Sequence, residues 1–434
     1  MNTTELVVLE DLLEQAMDSA VIRDRHGGSP IAAGAYLALL NSHRQSFDPD
    51  QRILAARFQP EIRDNPLREQ LLDIIRTNLR QYIHNDMLQS ATIVSGGALE
   101  GFTVSDLMRH LIVVAFCRGA QHAARSFFEC AEKTTVEMQF ITLLDGIRIE
   151  RDINISEGIR LLPIPNNAAD FPPYILTPSS EGYMDYYGRT LVILDQRVSP
   201  VFANPSKTST QDFRSPFGRS DQNTVYPDFI VREFCEALSL SANHIVNYVA
   251  WWTHVNPDDA YAVRTSGQVP AYSSLFHTKN PVMEVSSEDI RKALALYSTR
   301  KGLRSEVTQK LRVPIDRWLK SKMDSNPVDV FINLGTALES LYLNDTGNAG
   351  ELRFRMALRA AWHLGDGIAE RLSLLDDFKR VYDRRSKAVH TGNLTDNERE
   401  PEFMAKAQKL CLKAIVKIIQ VGEFPNWSRL VMGG

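Results

Sequence analysis

Cysteine is scarce in this chain of 434 residues: Cys117, Cys130, Cys235 and Cys411 are its only thiols, and no two form a C-x-x-C pair. Their neighbours are mostly apolar, so buried free thiols in a reducing cytoplasm are expected rather than disulfides. The ten histidines show no H-x-H, H-E-x-x-H or Cys/His spacing, which argues against a locally encoded metal site. Neither G-x-G-x-x-G nor a Walker loop is present, so no cofactor is expected. The longest strongly apolar run, residues 111–117, is too short to span a bilayer. The first 14 residues lack the basic and apolar regions of a signal peptide. These absences point to a cytoplasmic protein with no membrane partner. No internal repeat period is found in the N-terminal part.

An excess of positive charge is also lacking. The net charge is −4 and the pI about 6.2, ordinary for a soluble globular protein and silent on nucleic acid. The distribution is less even. Residues 281–434 carry 25 Lys and Arg against 20 Asp and Glu, a net of +5; the first 280 carry 24 against 33, a net of −9. The C-terminal part is therefore the half better suited to a polyanion. Chance segregation of charge explains the same numbers.

Apolar periodicity predicts a mainly α protein with a small β-containing region in the middle. Helices are expected over 4–23, 31–43 and 66–84, and over 103–133 from a Thr103–Asp106 start. Arg25-His26 sits on a Gly-Gly-Ser-Pro turn and reads as a solvated loop. Ile147, Ile149, Ile153, Ile155, Ile159 and Leu161, punctuated by Asp145-Gly146 and Glu157-Gly158, predict strands and hairpins; residues 190–194 predict another strand. Residues 203–227 and 257–283 read as long loops or linkers. Between them a helix is expected from Phe229 to about Val255, its Trp251-Trp252 pair and His254 near its end. The tryptophans suit an interdomain core better than base stacking.

From Ser287 onward everything reads helical, in a bundle with short connections. Ser287 is the expected N-cap of the first helix, and Asn326 with Pro327 opens a helix whose stripe is Phe331, Leu334, Leu338, Leu341 and Tyr342. Ser373 with Asp376 resembles a capping box and is expected to open the next-to-last long helix. The expected domains are an N-terminal helical region, 1–137, a mixed α/β region, 138–283, and a helical bundle, 284–434.

That next-to-last helix carries Tyr382-Asp383-Arg384-Arg385-Ser386-Lys387-Ala388-Val389-His390. Phe378, Val381, Tyr382, Arg385, Ala388 and Val389 share one apolar stripe, so Arg385 is expected in the packed seam and Arg384 in solvent. A cation in a seam is costly unless paired, and an imidazole with a fixed guanidinium can handle a phosphodiester without metal. The competing reading pairs Arg385 with a buried carboxylate and leaves His390 to satisfy helix-end carbonyls. Five residues advance an ideal helix by about 140° beyond a full turn. Arg385 and His390 therefore meet only if the arginine reaches across or the helix stops near Gly392. Arg355, Arg359 and His363 share a face of a neighbouring helix; a solvated stripe is the expected state of Arg355 and His363.

Residues 327–393 resemble the Apea-like branch of the HEPN family, on Ala337-Leu338-Glu339-Ser340-Leu341-Tyr342, Arg359-Ala360-Ala361 and 381–390. Weaker likeness extends to about 285 and 422; the first 280 residues resemble no named family. The resemblance implies a dimerising bundle that cleaves RNA without metal through a cleft shared by two protomers. Arg385, Ser386 and His390 fill its signature of an arginine, a polar residue and a later histidine. In that role His390 handles the proton of the 2′-OH or leaving oxygen, Arg385 holds the scissile phosphate and Ser386 orients the pair. Glu339, Arg359 and Tyr382 are implied as supporting residues, with Glu339 pairing Arg385 or Arg359; Arg384 and Lys387 are candidates for substrate binding. The implied partners are RNA, a second copy and a phage-derived or cellular trigger. The implied setting is antiviral, abortive-infection defence, with the N-terminal part as sensor. Two alternatives stay open: a HEPN-type dimerisation and RNA- or protein-binding module without catalysis, and the toxin of a toxin–antitoxin pair.

Overall fold

The structure is a computed structural model. It describes residues 3–24, 29–45, 58–84, 87–89, 101–133, 136–156, 158–164, 189–198, 227–254, 260, 271–272, 282–345, 351–395 and 400–433. The Arg25-His26 turn and most of the two expected loops at 203–227 and 257–283 lie outside these residues. The chain divides into two compact units, Met1–Val231 with Tyr248–Leu275, and Arg232–Asn247 with Phe276–Gly434. The architecture is mainly α with a small β region in the middle, as the periodicity predicts. Among the described residues no helix is long and apolar enough to cross a membrane.

In the first unit, α1 (Thr3–Ser19) buries Leu9, Leu12, Leu13 and Ala16. The expected helix ends early because Val21 and Ile22 enter β1 (Ala20–Asp24), antiparallel to β2 (Phe58–Ile62); β-branched residues fit a pleated surface better than a helix end. Two further helices are α2 (Ala33–Gln45) and α3 (Asn65–Leu79), the latter capped by Asp64. Short strands β3 (Ile83–His84), β4 (Met87–Gln89) and β5 (Gly101–Thr103) form a small sheet. The Thr103–Asp106 capping box is present, with the Thr103 hydroxyl accepting from Asp106 N at 3.0 Å. It opens α4 (Val104–Arg118), and Gly119, at φ +93°, breaks the expected single helix before α5 (Ala120–Glu132). Leu13, Leu71, Ile75, Leu111 and Phe127 meet in the core of this part.

The isoleucine series enters β7 (Ile147–Arg148), β8 (Ile153–Ser156) and β9 (Ile159–Pro163), with Ile149 between strands; β6 (Val136–Asp145) precedes it, and β10 (Thr190–Val198) contains the strand expected at 190–194. Its Asp145-Gly146 punctuation is a turn with Gly146 at φ +91°; Glu157 is outside the described residues. A six-stranded sheet has the order β12-β11-β6-β10-β9-β8, with β10 antiparallel to both β6 and β9. Here β11 is Asn247–His254 and β12 is Ala271–Tyr272.

The helix expected over 229–255 is therefore corrected. It is α6 (Pro227–Ala242), followed by Asn243 at φ +51° and the strand β11. Val246-Asn247-Tyr248-Val249-Ala250-Trp251-Trp252-Thr253 is β-branched and aromatic, so its apolar content satisfies either period and pairing in a sheet decides. The Ser239 hydroxyl fixes the break, accepting from Val246 N at 2.9 Å and donating to Cys235 O at 2.8 Å. The Trp251 and Trp252 side chains are outside the description.

The second unit contains the helical bundle. Its helices are α7 (Ser287–Lys301), α8 (Ser305–Met323), α9 (Pro327–Tyr342), α10 (Leu352–Leu364), α11 (Ile368–Thr391), α12 (Pro401–Val421) and the short α13 (Trp427–Val431). Ser286, not Ser287, caps α7 in a box with Asp289. Asn326 and Pro327 open α9 as expected, and its stripe Phe331, Leu334, Leu338, Leu341 and Tyr342 is wholly buried. Helix α11 starts at Ile368, five residues before Ser373, which lies within it. Glu370 supplies the first-turn acceptor instead, taking the Asp366 N–H at 3.1 Å. None of the cysteines is in a disulfide: Cys130, Cys235 and Cys411 are buried and Cys117 half-buried.

Candidate active site

The site is built where α11 packs on α9. Leu374, Phe378, Val381 and Ala388 bury the inner face of α11, and Arg385 lies on that face between Val381 and Ala388. Facing it, α9 presents Gly335. A Cβ added there would come within 2.7 Å of the Arg385 Cβ and closer still to its Cγ. The arginine stem thus lies directly on the α9 backbone. One turn further along α9, Glu339 Oε2 accepts from Arg385 Nη2 at 3.0 Å. Both side chains are about one quarter exposed, 25% each. Of the two pairings implied for Glu339, this one forms. Burial pushes the Glu339 carboxyl above its ordinary range, and the Arg385 charge only partly opposes that. The Arg385 Nε–H is buried and donates to no partner among the described residues.

His390 stands exposed in the last turn of the same helix. The helix does not stop before it. Gly392 takes the left-handed conformation, φ +63°, and returns its N–H to Ala388 O at 2.9 Å, so Thr391 is still helical. Thr391 reinforces the end by donating from its hydroxyl to Lys387 O at 2.8 Å. Arg385 and His390 are therefore set about 140° apart on one regular helix, and no hydrogen bond between them is among those of the described residues.

The solvated position expected for Arg384 is corrected. It is buried, with its guanidinium carbon 4.0 Å from the Phe403 ring centroid and 5.2 Å from that of Phe331, and it pairs with Glu400 at 3.5 Å. The reason is α12, whose Phe403 covers the side of α11 that a wheel of one helix leaves open. A buried, stacked Arg384 is a packing element rather than a substrate contact. Ser386 and Lys387 are half-buried beside Arg385, and Tyr382 is half-buried against the bundle core. Asp383 is exposed and forms a bidentate pair with Arg353 of α10, both bonds at 2.5 Å.

The basic face of α10 is also corrected. Arg359 is buried, donating to Tyr342 O at 2.6 Å and to Asp345 Oδ1 at 2.6 Å. It closes the C-terminal end of α9 and does not face the Glu339 pair. His363, expected in solvent, is buried: its Nδ1 lies 3.0 Å from the Tyr342 hydroxyl and its ring packs on Trp427 at 5.6 Å. Burial first, and then the Lys417 ammonium, lower its pKa to about 4. Arg355 is half-buried. The wheel of α10 missed this because α13, which supplies Trp427, is only five residues long and carries little periodic signal.

Gly335 was the site element that helix periodicity did not single out. Its signal was a glycine inside a strong helical pattern, four residues before a carboxylate. No group of three or more His, Cys, Asp or Glu that would hold a metal ion occurs among the described residues. Comparison with family models, with curated proteins and with solved structures finds no match to this chain.

Proposed function

We propose that the bundle is a metal-independent endoribonuclease of HEPN type, working as a dimer. One observation carries the reading. Arg385 is held by Glu339 at 3.0 Å in a partly open position, while an exposed His390 follows on the same helix, turned away from it. A packed cation with one acceptor among the described residues retains donors for phosphate oxygens. The exposed imidazole is open to a substrate and is a residue type suited to proton transfer.

Because the two groups diverge by about 140°, one copy does not assemble both on one phosphate. A twofold arrangement resolves this by setting Arg385 of one copy against His390 of the other. In that cleft the imidazole takes the proton of the RNA 2′-OH. The 2′ oxygen attacks phosphorus, and Arg385 stabilises the charge gathering on the phosphoryl oxygens. The bond to the 5′ oxygen breaks, and an imidazolium returns a proton to that oxygen. The products are a 2′,3′-cyclic phosphate and a 5′-OH, and DNA resists because it lacks the nucleophile. Ser386, next to Arg385, is suited to a second phosphate contact. The wider role is antiviral, abortive-infection defence, with the first unit sensing a phage-derived or cellular trigger.

The test is RNA cleavage in EDTA by the full chain, Arg385→Ala and His390→Ala. Wild-type cleavage with a cyclic-phosphate end, lost in both variants, is the expected result. Cleavage that EDTA abolishes, or that His390→Ala retains, would sink the mechanism.

A further inference from the structure

Arg385 reaches Glu339 only because α9 has no side chain at position 335. Gly335 is buried, and it lies in the interior of a 16-residue helix where glycine is the least favourable ordinary residue. No turn or left-handed backbone requires it: its φ is not among the positive values that mark Gly392 or Gly119. The local helix therefore gains nothing from it. The gain is at the crossing with α11. An alanine methyl would meet the Arg385 Cβ at 2.7 Å and Cδ at 3.1 Å, with Cγ nearer than either. Real side chains do not tolerate such approaches, so the arginine stem would leave its present course. The guanidinium would then lose the Glu339 carboxylate one turn along.

We propose that Gly335 is a positioning residue for the ribonuclease reaction, a notch in α9 that lays the Arg385 stem flat and fixes its guanidinium on Glu339. The inference rests on the ribonuclease reading for its effect on rate, but not for its effect on geometry. The notch and the carboxylate act together. Gly335 sets the height of the stem above α9, and Glu339 sets the direction in which the guanidinium points. Among the described residues the pair with Glu339 engages Nη2, and Nε is buried. The remaining donors are left for a phosphate of the RNA. A displacement of about 1 Å in such a group costs on the order of 100-fold in rate, even when the substituted residue never touches substrate.

The test compares full-length Gly335→Ala with wild type and with Thr336→Ala, a control at the neighbouring position of α9. Alanine favours the helix, so a residue serving α9 alone predicts an equal or higher melting temperature and full activity. The notch instead predicts that kcat on RNA falls by about 10- to 100-fold in Gly335→Ala while KM changes little. Thr336→Ala keeps wild-type kcat. Full kcat in Gly335→Ala overturns the proposal.

A second readout needs no cleavage. In arginine-labelled protein, the Arg385 Nε–H resonance, identified by its loss in Arg385→Lys, is expected to exchange slowly in wild type and quickly in Gly335→Ala. An unchanged resonance overturns the proposal even if the protein cuts no RNA, whereas a silent wild type with the expected resonance change counts against the ribonuclease reading only. Should Gly335→Ala fail to fold, Gly335→Ala with Arg385→Gly decides the matter, since all three close atoms of the stem are then gone. A fold restored to the stability of Arg385→Gly alone supports the notch; a fold still lost overturns it.

Discussion

Arg384 sits over the ring of Phe403, guanidinium carbon to ring centroid 4.0 Å, while its neighbour Arg385 pairs with Glu339. Phe403 also receives Arg380 at 4.1 Å and stacks on Phe331 at 6.2 Å. Two consecutive arginines thus have opposite duties. Arg384→Ala removes a buried cation, its aromatic contacts and its Glu400 pair, and is expected to destabilise the bundle by roughly 2–4 kcal/mol. Arg385→Ala removes a partly exposed pair and is expected to cost no more than about 1 kcal/mol. Urea denaturation of the two variants measures this. Equal losses of stability would contradict the assignment of Arg384 to packing and Arg385 to the site.

His363 predicts an acid-sensitive bundle. Its folded pKa is lowered from 6.5 to about 4, so as the pH falls the unfolded chain takes up the proton before the folded one does. The stability attached to the neutral ring is complete above pH 6.5 and is lost as the pH falls towards 4. The loss reaches up to about 3 kcal/mol. Lys417, which donates to His363 O at 2.6 Å, sharpens the effect because its charge opposes that of the imidazolium. His363→Gln keeps a polar buried side chain that does not titrate. Its stability should show a shallower slope across this window than wild type, and parallel slopes would remove His363 as the cause.

The divergence of Arg385 and His390 predicts complementation between inactive chains. Arg385→Ala and His390→Ala are each expected to be inactive. Mixed and allowed to exchange protomers of the proposed dimer, they are expected to give heterodimers in which one cleft has both an intact Arg385 and an intact His390. An equimolar mixture should recover roughly a quarter of the wild-type rate, since half the dimers are mixed and each has one good cleft of two. A mixture as inactive as its components would mean that both groups are drawn from the same chain.

Much of the bundle was legible in the sequence because its helices announce themselves. The α9 stripe, the Asn326-Pro327 start and the Gly392 stop follow from side-chain period and capping chemistry, which act within a few residues. The seam position of Arg385 was legible for the same reason. The 229–255 segment was not, because a run dense in Val, Tyr and Trp serves a buried helix and a buried strand alike. Its pairing with β6 and β12 in the sheet separates them. The α11 start was displaced because Glu370 and Asp366 do locally what Ser373 and Asp376 imitate further on.

The mainly α class, the order of the bundle helices and the placing of Arg385 and His390 on one helix were readable from residue order alone, because these depend on near neighbours and on helical geometry. Tertiary structure decided the rest. A wheel drawn for one helix has one apolar face, whereas α11 is covered by α9, α10 and α12, so Arg384 is buried under Phe403 although it lies off the stripe. His363 is buried because Trp427 reaches it from 64 positions further on. The choice of Glu339 for Arg385, and the need for Gly335 beneath it, arise only where two helices cross. The approach of their backbones there is set by a side chain that is absent.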